Sequence, residues 1–226
     1  MPELLVIVAA RNEADRIGST LHALATAFPG APLWVGDDAS EDGTAEVAIV
    51  HGARVVRRGS SHGKGGNVTA AAEAALSDVA EAPPELVLVC DGDLGDSAAT
   101  LVGLVDAVRE GRCDLAVAEF RRRVGGGLGI ALRFARWAIR SRCGFEAGAA
   151  ISGQRAMRAE VLWEALPFAA GYGMEVGMTI DAVRAGYSVA EVALDLEHRA
   201  TGRTLAGFLH RARQLRDFAR AWWARR

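Results

Sequence analysis

The sequence predicts an α/β fold: a mostly parallel, doubly wound sheet with helices on both faces. Short runs rich in leucine and β-branched residues alternate with alanine-rich stretches, which is the pattern of strands and helices that follow one another. Of the 226 residues 50% are hydrophobic, which is enough for a sizeable core. No internal repeat or linker interrupts the alternation, so we predict a single domain of Rossmann-like character.

The first half of the chain contains five predicted strands with helices between them. We predict strands at 4–9, 33–37, 53–57, 86–90 and 115–118. We predict helices at 14–27, at 42–51, after Lys64 and at 97–109. Strands joined through helices in this way run parallel, and such sheets bind ligands at the carboxyl ends of their strands.

The second half departs from this rhythm. Residues 121–129 combine three arginines with a run of glycines and are predicted to form a mobile loop. We predict helices around 132–140, after Arg155 and near 173–185, and strands at 149–152 and 189–194. Residues 205–226 are predicted to form a basic amphipathic helix.

The net charge of −2, from 26 basic and 28 acidic residues, gives no reason to expect a nucleic-acid partner. Its distribution is uneven, because the chain carries +7 from Arg199 onward and −9 over residues 1–198. Of the basic residues 25 are arginine, and Lys64, between two glycines, is the only lysine. Either a compact ammonium is needed at that position, or compositional drift left one lysine in place.

The cysteines and the apolar segments indicate in which cellular compartment the protein is expected. Cys90, Cys113 and Cys143 are too widely spaced for a zinc knuckle and odd in number, which favours reduced thiols in a cytoplasmic protein. Cys90 lies in an apolar run and is predicted to belong to the core. The N-terminus lacks a basic signal-peptide region, and no apolar stretch reaches the roughly 18 residues of a membrane span. We therefore expect a soluble or peripheral protein.

Two acidic residues, Asp91 and Asp93, follow the predicted buried strand at 86–90. Their carboxylates would repel each other unless a cation lay between them, and hard oxygen ligands suit Mg²⁺ or Mn²⁺ bound together with a substrate diphosphate. The alternative is a solvated turn that carries two acids. Because the strand before the pair is apolar, we favour the metal site.

Polar residues also follow the first two predicted strands. Asp38 can accept a hydrogen bond from the imide N–H of uracil or the edge of guanine, and Asn12 and Glu13 can satisfy polar groups of a ribose or a base. The alternative is helix capping, in which Ser40 or Asp42 would bind the first helical turn. We expect both roles to occur, with Ser40 and Asp42 mainly as caps.

Four motifs in a fixed order resemble those of one known family. They are Ala-Arg-Asn-Glu at 10–13, Asp-Asp-Ala-Ser-Glu-Asp-Gly-Thr at 37–44, Gly-Lys-Gly-Gly-Asn at 63–67 and Asp-Gly-Asp at 91–93. Over about residues 4–204 the chain resembles the GT-A glycosyltransferases of family 2. It is most similar to the dolichyl- or polyprenyl-phosphate sugar transferases, with the glucosyl-3-phosphoglycerate synthases as another group. The resemblance implies a GT-A domain over 1–204, with a nucleotide-sugar-binding half at 1–120 and an acceptor half at 121–204.

The resemblance also implies roles for residues of these motifs. Asp91 and Asp93 match the acids that bind a metal together with the donor diphosphate, and Asp93 is then a catalytic residue. Contacts with the nucleotide-sugar are implied for Ala10, Arg11, Asn12, Glu13, Asp38, Lys64, Asp91 and Gly92. A lysine beside glycines fits this role, since a compact cation can approach a phosphate or a base carbonyl there. The implied cofactor is Mg²⁺ or Mn²⁺.

Glu175 is a further catalytic candidate, in the segment 171–175 that resembles the start of the family's acceptor helix. It could act as a general base towards an acceptor hydroxyl. A phosphate acceptor is already ionised and needs no base, in which case Glu175 would only position the sugar or the acceptor. The plainer alternative is an acid favoured by the dipole at a helix N-terminus.

The segment 197–203 follows the last predicted strand and carries the remaining candidates. His198 could complete the metal shell, and Arg199 or Arg203 could bind the departing diphosphate, which makes a general acid unnecessary. A lone histidine is more often structural, and that alternative stays open for His198.

Two departures from the family pattern bear on the reaction. Ala9, Ala10 and Arg11 stand in a motif where proline and tyrosine are usual, which changes how a base would stack. The segment 152–155, Ser-Gly-Gln-Arg, lacks the tryptophan that completes the Gln-x-x-Arg-Trp signature of processive polysaccharide synthases. We therefore expect the transfer of a single sugar.

Arginines cluster on two predicted helices. Arg133, Arg136 and Arg140 share a narrow arc of the helix around 132–140. On the C-terminal helix one side carries Leu205, Phe208, Ala212, Leu215, Ala219 and Trp222, and the neighbouring side carries Arg213, Arg216 and Arg220. Such helices suit an anionic membrane surface or an isoprenoid phosphate. Alternatively they pack on the sheet, or on a second subunit of a homodimer, with arginine stems covering apolar surface.

These observations favour a metal-dependent glycosyltransferase that moves one sugar from a UDP- or GDP-sugar to a phosphorylated acceptor. A polyprenyl phosphate is preferred to a small metabolite of the phosphoglycerate kind. The protein would be cytoplasmic and peripheral at the inner face of the membrane, without a nucleic-acid partner. One alternative is a nucleotidyltransferase, but that class would require a glycine-rich phosphate-binding loop after the first strand, and this chain has none there. The other is a non-catalytic nucleotide-binding domain, against which the intact acid pair and Lys64 count.

Overall fold

The structure is a computed structural model that describes residues 3–79, 81–120, 129–196 and 205–226, with side chains from residue 212 onward in the last range. The described strands are β1 (Leu4–Ala10), β2 (Leu33–Asp37), β3 (Arg54–Arg57), β4 (Leu86–Asp91), β5 (Leu115–Phe120), β6 (Arg155–Arg158) and β7 (Val189–Leu194). They form one sheet in the order β3-β2-β1-β4-β6-β5-β7. β6 is antiparallel to both neighbours, and the other pairings are parallel. The predicted α/β class is confirmed.

Helices connect these strands. The described α-helices are α1 (Ile17–Ala27), α2 (Thr44–Val50), α3 (Gly63–Asp78), α4 (Val102–Arg109), α5 (Ile130–Cys143), α6 (Ala159–Ala165), α7 (Gly173–Arg184) and α8 (Leu205–Ala224). A 3-10 helix at Gly95–Leu101 leads into α4. None of these described helices is long and apolar enough to cross a bilayer.

Helices cover both faces of the sheet because β1 sends alternate side chains to opposite sides. Leu4, Val6 and Val8 belong to a core cluster shared with α1 and α4. Leu5 and Ile7 belong to a second cluster shared with α3, α6 and α7. The sheet is therefore doubly wound, as predicted.

A third layer of helices lies outside α7. Met174 and Met178 of α7 face the core against the sheet, whereas Val176 and Ile180 pack with α5 and α8 in a separate cluster. Residues 173–180 of α7 are all buried, and apart from Glu175 and Thr179 they are apolar or small, as a helix covered on several sides requires. This burial holds the start of α7 rigidly at the edge of the sheet.

One predicted strand was misplaced. The sequence predicts a strand at 149–152, but residues 149–151 form a turn and the strand is β6. β6 begins with the fully buried Arg155, which breaks the apolar pattern that marks the other strands. The helix expected directly after Arg155 therefore begins only at Ala159, as α6.

The remaining local predictions have mixed outcomes. Cys90 is fully buried, as predicted, and burial raises the pKa of its thiol, which makes it unreactive. Cys113 and Cys143 are also free thiols. The predicted loop at 121–129 lies outside the described residues except for Gly129.

The C-terminal helix forms as predicted, but its buried side is different. Asp217, Phe218 and Ala221 are buried, whereas Ala212 is exposed and Leu215 only half-buried. The buried side of α8 is thus shifted by one residue from the predicted apolar side, which is a rotation of about 100° around the helix. Where α8 crosses Gly173 and Gly177 of α7, the residues facing inward are Asp217, Ala221 and Arg225, and Phe218 fills the space beside them.

Candidate active site

The polar loops after β1 and β2 are joined by side-chain hydrogen bonds. The backbone N–H of Asn12 donates to Ser40 Oγ (2.9 Å). Asp42 accepts from the N–H of Ala14 through Oδ2 and from the N–H of Thr44 through Oδ1 (both 3.1 Å). Ser40 therefore does not cap α2, and that prediction is wrong. Asp42 serves both the first turn of α2 and the neighbouring loop, because parallel strands bring their loops to one edge.

Two residues of these loops have left-handed backbone conformations, Asn12 (φ +56°) and Ala39 (φ +58°). Asparagine adopts this region readily, whereas alanine does so at an energetic cost, and such strain is typical of functional sites. Between the loops, Ala10 is buried at the end of β1, and the exposed Arg11 donates through Nη1 to Ser61 Oγ (2.7 Å). The predicted nucleotide loop is thus held in one conformation.

Asp38 anchors the segment that leads into α3. Its Oδ1 accepts from the N–H of His62 (2.8 Å), and its Oδ2 accepts from Ser61 Oγ (2.7 Å) and the N–H of Gly63 (3.1 Å). The carboxylate is almost entirely buried. Asp38 therefore positions the residues immediately before Lys64.

The glycines around Lys64 are required by a close approach of two backbones. Gly63 has a φ of +72°, and a Cβ on it would lie 2.9 Å from Gly171 Cα. A Cβ on Gly65 would overlap the carbonyl oxygen of Ala169, and the N–H of Gly65 donates to Gly171 O (3.0 Å). The first turn of α3 therefore lies directly on the segment that leads into α7.

Replacing Gly65 with alanine is expected to destabilise the protein by about 2 kcal/mol, because the added methyl group overpacks against backbone that cannot move cheaply. Glycine to alanine inside a helix would otherwise stabilise by about 0.5–1 kcal/mol. The matched control is Gly66→Ala in the same helical turn, whose nearest neighbour is the Cβ of exposed His62 at 3.1 Å. Urea unfolding of both variants measures the difference, and equal free energies of unfolding would contradict the close approach.

Lys64 bridges two carboxylates from different elements. Its Nζ lies 2.5 Å from Asp91 Oδ1, at the end of β4, and 2.9 Å from Glu175 Oε1, in the first turn of α7. Only 16% of the Lys64 side chain and 5% of that of Glu175 are exposed, against 31% for Asp91. Burial by itself would lower the pKa of Lys64, but the two carboxylates outweigh it and raise the pKa above its ordinary value. Lys64 is therefore a permanent cation at neutral pH.

The segment before β6 closes the other side of Asp91. Gln154 Nε2 donates to Asp91 Oδ2 (2.7 Å). A Cβ on Gly153 would overlap Lys64 Nζ and lie 2.8 Å from Asp91 Oδ2. Neither residue was predicted from the sequence, in which 152–155 resembles only an incomplete synthase signature. The signal that could have found them is a run of polar residues directly before a buried strand.

Arg155 is a fully buried cation behind Glu175. Its Nε donates to Ser152 O and its Nη1 to Thr179 Oγ1 (both 2.9 Å), and Thr179 Oγ1 donates to the backbone oxygen of Glu175 (3.0 Å). Burial lowers the pKa of Arg155 to about 10, against the opposing effect of nearby glutamates, so it stays charged at neutral pH. Arg155 thus connects the turn before Gln154 to the first turn of α7, and the sequence did not indicate this role.

The turn formed by Asp91, Gly92 and Asp93 is held against α1. Thr20 Oγ1 donates to Gly92 O (2.9 Å), and Arg16 Nη1 donates to Asp93 O (3.1 Å). A Cβ on Gly92 would lie 2.9 Å from a methyl carbon of Ile17. A Cβ there would also lie 3.3 Å from Ala9 O, so the turn packs tightly and glycine fits it best.

Asp91 and Asp93 offer the oxygen ligands predicted for a divalent cation. Each Asp91 oxygen accepts one hydrogen bond from a neighbour and keeps a further lone pair. Mg²⁺ is commonly held by one or two carboxylates together with substrate phosphates, and these residues fit that arrangement. Within the described ranges, no group of three His, Cys, Asp or Glu side chains could hold a metal by itself. Three predicted site residues lie outside the described residues: His198, Arg199 and Arg203.

Comparison with known proteins identifies the family. The family model "Glycosyl transferase family 2" matches residues 5–166. The chain belongs to this family. This glycosyltransferase is 30% identical over 218 residues to the undecaprenyl-phosphate mannosyltransferase of Micrococcus luteus, a match that covers 89% of this chain and 86% of the relative. The predicted family and enzyme class are confirmed, which removes support from the nucleotidyltransferase alternative.

Solved structures of glucosyl-3-phosphoglycerate synthase from Mycobacterium tuberculosis have the same fold as this glycosyltransferase. The complex with phosphoglyceric acid aligns with a TM-score of 0.75 at 27% identity, over 97% of this chain and 80% of that chain. The complex with Mn²⁺, uridine diphosphate and phosphoglyceric acid aligns with a TM-score of 0.76 at 27% identity, over 98% and 78%. The GT-A fold implied by the resemblance is therefore confirmed.

Proposed function

We propose that this glycosyltransferase transfers one sugar from a UDP- or GDP-sugar to a polyprenyl phosphate, with Mg²⁺ or Mn²⁺ as its cofactor. The observation that carries the proposal is the cluster of Lys64, Asp91 and Glu175 at the carboxyl edge of the sheet. It places a permanent cation beside a partly exposed carboxylate. The cation can bind a donor diphosphate, and the carboxylate can bind the metal ion that accompanies it.

Two observations support a polyprenyl phosphate as the acceptor. The undecaprenyl-phosphate mannosyltransferase matches this chain over 89% of its length. In addition, α5 carries four arginines and no acid, which suits an anionic lipid. A small acceptor of the phosphoglycerate kind is the second candidate, because the similar solved structures include complexes with phosphoglyceric acid.

The donor is proposed to bind across the loops after β1, β2 and β4. Nucleotide contacts are proposed for the loop at 10–13 and Asp38, which the structure holds in one conformation. Asp91 and Asp93 would hold a divalent metal ion, which would supply positive charge to stabilise the diphosphate leaving group. His198 is proposed as the third protein ligand. Two arginines are proposed to bind the leaving diphosphate: Arg199 and Arg203.

In the proposed reaction an acceptor phosphate oxygen forms a bond to the anomeric carbon of the sugar, and the bond from that carbon to the donor diphosphate breaks. UDP or GDP leaves. The acceptor oxygen is already ionised, so no base is required. Glu175 is 5% exposed and its Oε1 is paired with Lys64, which supports a positioning role for Glu175 rather than proton transfer. Asp93 is proposed to hold the metal ion together with Asp91.

A screen of sugar nucleotides by thermal unfolding tests the donor and the metal. At about 100 times its dissociation constant, the true donor should raise the Tm by about 5–10 °C, and only with Mn²⁺ or Mg²⁺ present. Transfer of radiolabelled sugar is then compared between a short-chain polyprenyl phosphate and 3-phosphoglycerate. No Tm shift with any UDP- or GDP-sugar would contradict the proposal, and transfer to phosphoglycerate alone would select the second acceptor.

A further inference from the structure

Aromatic side chains from α5 and α8 form a cluster on the surface, which we call the tryptophan patch: Phe134, Trp137, Trp222 and Trp223. The ring centroids of Trp137 and Trp222 are 5.1 Å apart, and those of Trp222 and Trp223 are 6.2 Å apart. Trp137 is 49% exposed and Trp223 is 59% exposed. Three of the five tryptophans of the chain thus lie together where water reaches them, which is unusual for so large an apolar side chain.

Only the two most exposed rings of the patch, Trp137 and Trp223, are not needed for the packing of α8, because Phe134 and Trp222 pack against the core cluster between α5, α7 and α8. The inward side of α8 is covered by α5 and α7 through Phe218 and Ala221, which are 1% and 3% exposed. Trp222 is held by a hydrogen bond from its Nε1 to Ser141 Oγ (2.9 Å). Beside this fixed ring, Trp137 and Trp223 remain about half exposed.

Two arginines lie against rings of the patch. The guanidinium of Arg142 lies 4.1 Å from the ring centre of Trp222, and that of Arg226 lies 4.6 Å from the ring centre of Trp223. The acids of this layer are already paired with arginines: Glu146 with Arg140, Asp181 with Arg225 and Asp217 with Arg216. The surface is therefore apolar at its centre and positively charged around it.

We propose that the tryptophan patch docks this glycosyltransferase onto the surface of an anionic lipid bilayer. Tryptophan is favoured at the boundary between lipid headgroups and acyl chains, and arginines near the surface add about 1 kcal/mol each with anionic lipid. A second copy of this chain fits less well, because a two-fold contact would bring the same arginine-rich surface against itself. The inference rests on the proposed function, since a polyprenyl phosphate is anchored in a bilayer.

The patch is also connected to the catalytic edge. Asp217 of α8 accepts a hydrogen bond from the N–H of Tyr172 (3.3 Å), directly before α7 and three residues before Glu175. Trp222 follows Asp217 by five residues, which is about 8 Å along the helix. Docking through α8 would therefore hold the acceptor side of the site close to the membrane.

Co-sedimentation with lipid vesicles tests whether the tryptophan patch binds an anionic bilayer. The full chain is expected to bind vesicles of phosphatidylcholine with about 30% phosphatidylglycerol, and to bind phosphatidylcholine alone at least tenfold more weakly. The double variant Trp137→Ser/Trp223→Ser removes two exposed rings and should lose at least tenfold in binding to the anionic vesicles. The matched control is Trp163→Ser on α6, which is 47% exposed and should bind like the wild type.

Transfer assays separate this inference from the proposed function. The double variant should transfer sugar normally to a short-chain, water-soluble polyprenyl phosphate and poorly to a long-chain one in vesicles. Normal vesicle binding by the double variant would contradict the proposed docking role of the tryptophan patch, even if transfer to polyprenyl phosphate occurs. Vesicle binding that depends on the patch, without transfer to any polyprenyl phosphate, would overturn the proposed function instead. A dimer that the double variant abolishes, without lipid binding, would assign the patch to a second copy.

Discussion

Replacement of Asp91 by asparagine is expected to reduce sugar transfer by about 10³-fold, the order of effect seen when a charge-stabilising group is removed from an active site. Asparagine keeps the shape of the side chain but loses the charge that the proposed metal requires. Its amide group would also present protons to Lys64 Nζ or Gln154 Nε2, which are themselves donors. The Mn²⁺-dependent shift of the Tm by the donor should disappear together with activity.

The matched control for Asp91→Asn is Asp96→Asn, which changes an exposed acid in the neighbouring 3-10 helix. It should leave both kcat/KM and the Tm shift unchanged. An Asp91→Asn variant that keeps the Mn²⁺-dependent shift and stays within tenfold of wild-type transfer would show that Asp91 is not a metal ligand.

Replacement of Lys64 by methionine is expected to abolish transfer and to lower the free energy of unfolding by about 3 kcal/mol or more, since it leaves a buried carboxylate without its cation. Glu175 is the residue affected, with 5% of its side chain exposed. Lys64→Arg should also fail, although arginine supplies every other cation of the chain. A Cβ on Gly153 would overlap Lys64 Nζ, so the ammonium fills its space and we expect the larger planar guanidinium not to fit.

Arg54→Met provides the comparison for Lys64→Met, because Arg54 pairs with Asp78 where both side chains are largely exposed. An exposed pair of this kind contributes about 0–1 kcal/mol. Denaturant unfolding and transfer kinetics are measured for all three variants. Wild-type stability and transfer in Lys64→Arg would contradict a site built around a compact ammonium.

The pH dependence of the Lys64 effect follows from its raised pKa. A group whose pKa is raised on folding stabilises the protein fully below its unfolded pKa, which for lysine is about 10.4, and less as the pH rises towards the folded pKa. The difference in unfolding free energy between the wild type and Lys64→Met should therefore be constant from about pH 7 to about pH 10. A decline that is already evident at pH 8 would contradict the raised pKa.

The order of strands and helices could be predicted because most elements have a local signal. Leu33–Asp37 and Val189–Leu194 were predicted to the residue, since runs of apolar residues bounded by polar ones mark strands wherever they occur. β6 could not be predicted in the same way. It contains Arg155 at a fully buried position, and the acceptors of its hydrogen bonds, on Ser152 and Thr179, come together only in the fold.

The same division holds at the site. Lys64 and Asp91 could be singled out from the sequence, one as the only lysine and the other as an acid directly after an apolar strand. Gln154 could not, because its role depends on an antiparallel strand that brings position 154 beside Asp91. The capping role predicted for Ser40 failed for a related reason, since Ser40 Oγ accepts a hydrogen bond from the loop after β1 and not from α2.

The sequence by itself determined the α/β class, the family and the set of residues at the ends of the strands, because apolar periodicity and short polar motifs are local properties of the chain. The tertiary structure alone decided that Lys64 joins Asp91 to Glu175, that Arg155 lies buried behind them and that tryptophans gather beside arginines on α5 and α8. These are contacts between residues far apart in the chain. Their energies depend on burial and on distance, neither of which is encoded at any single position.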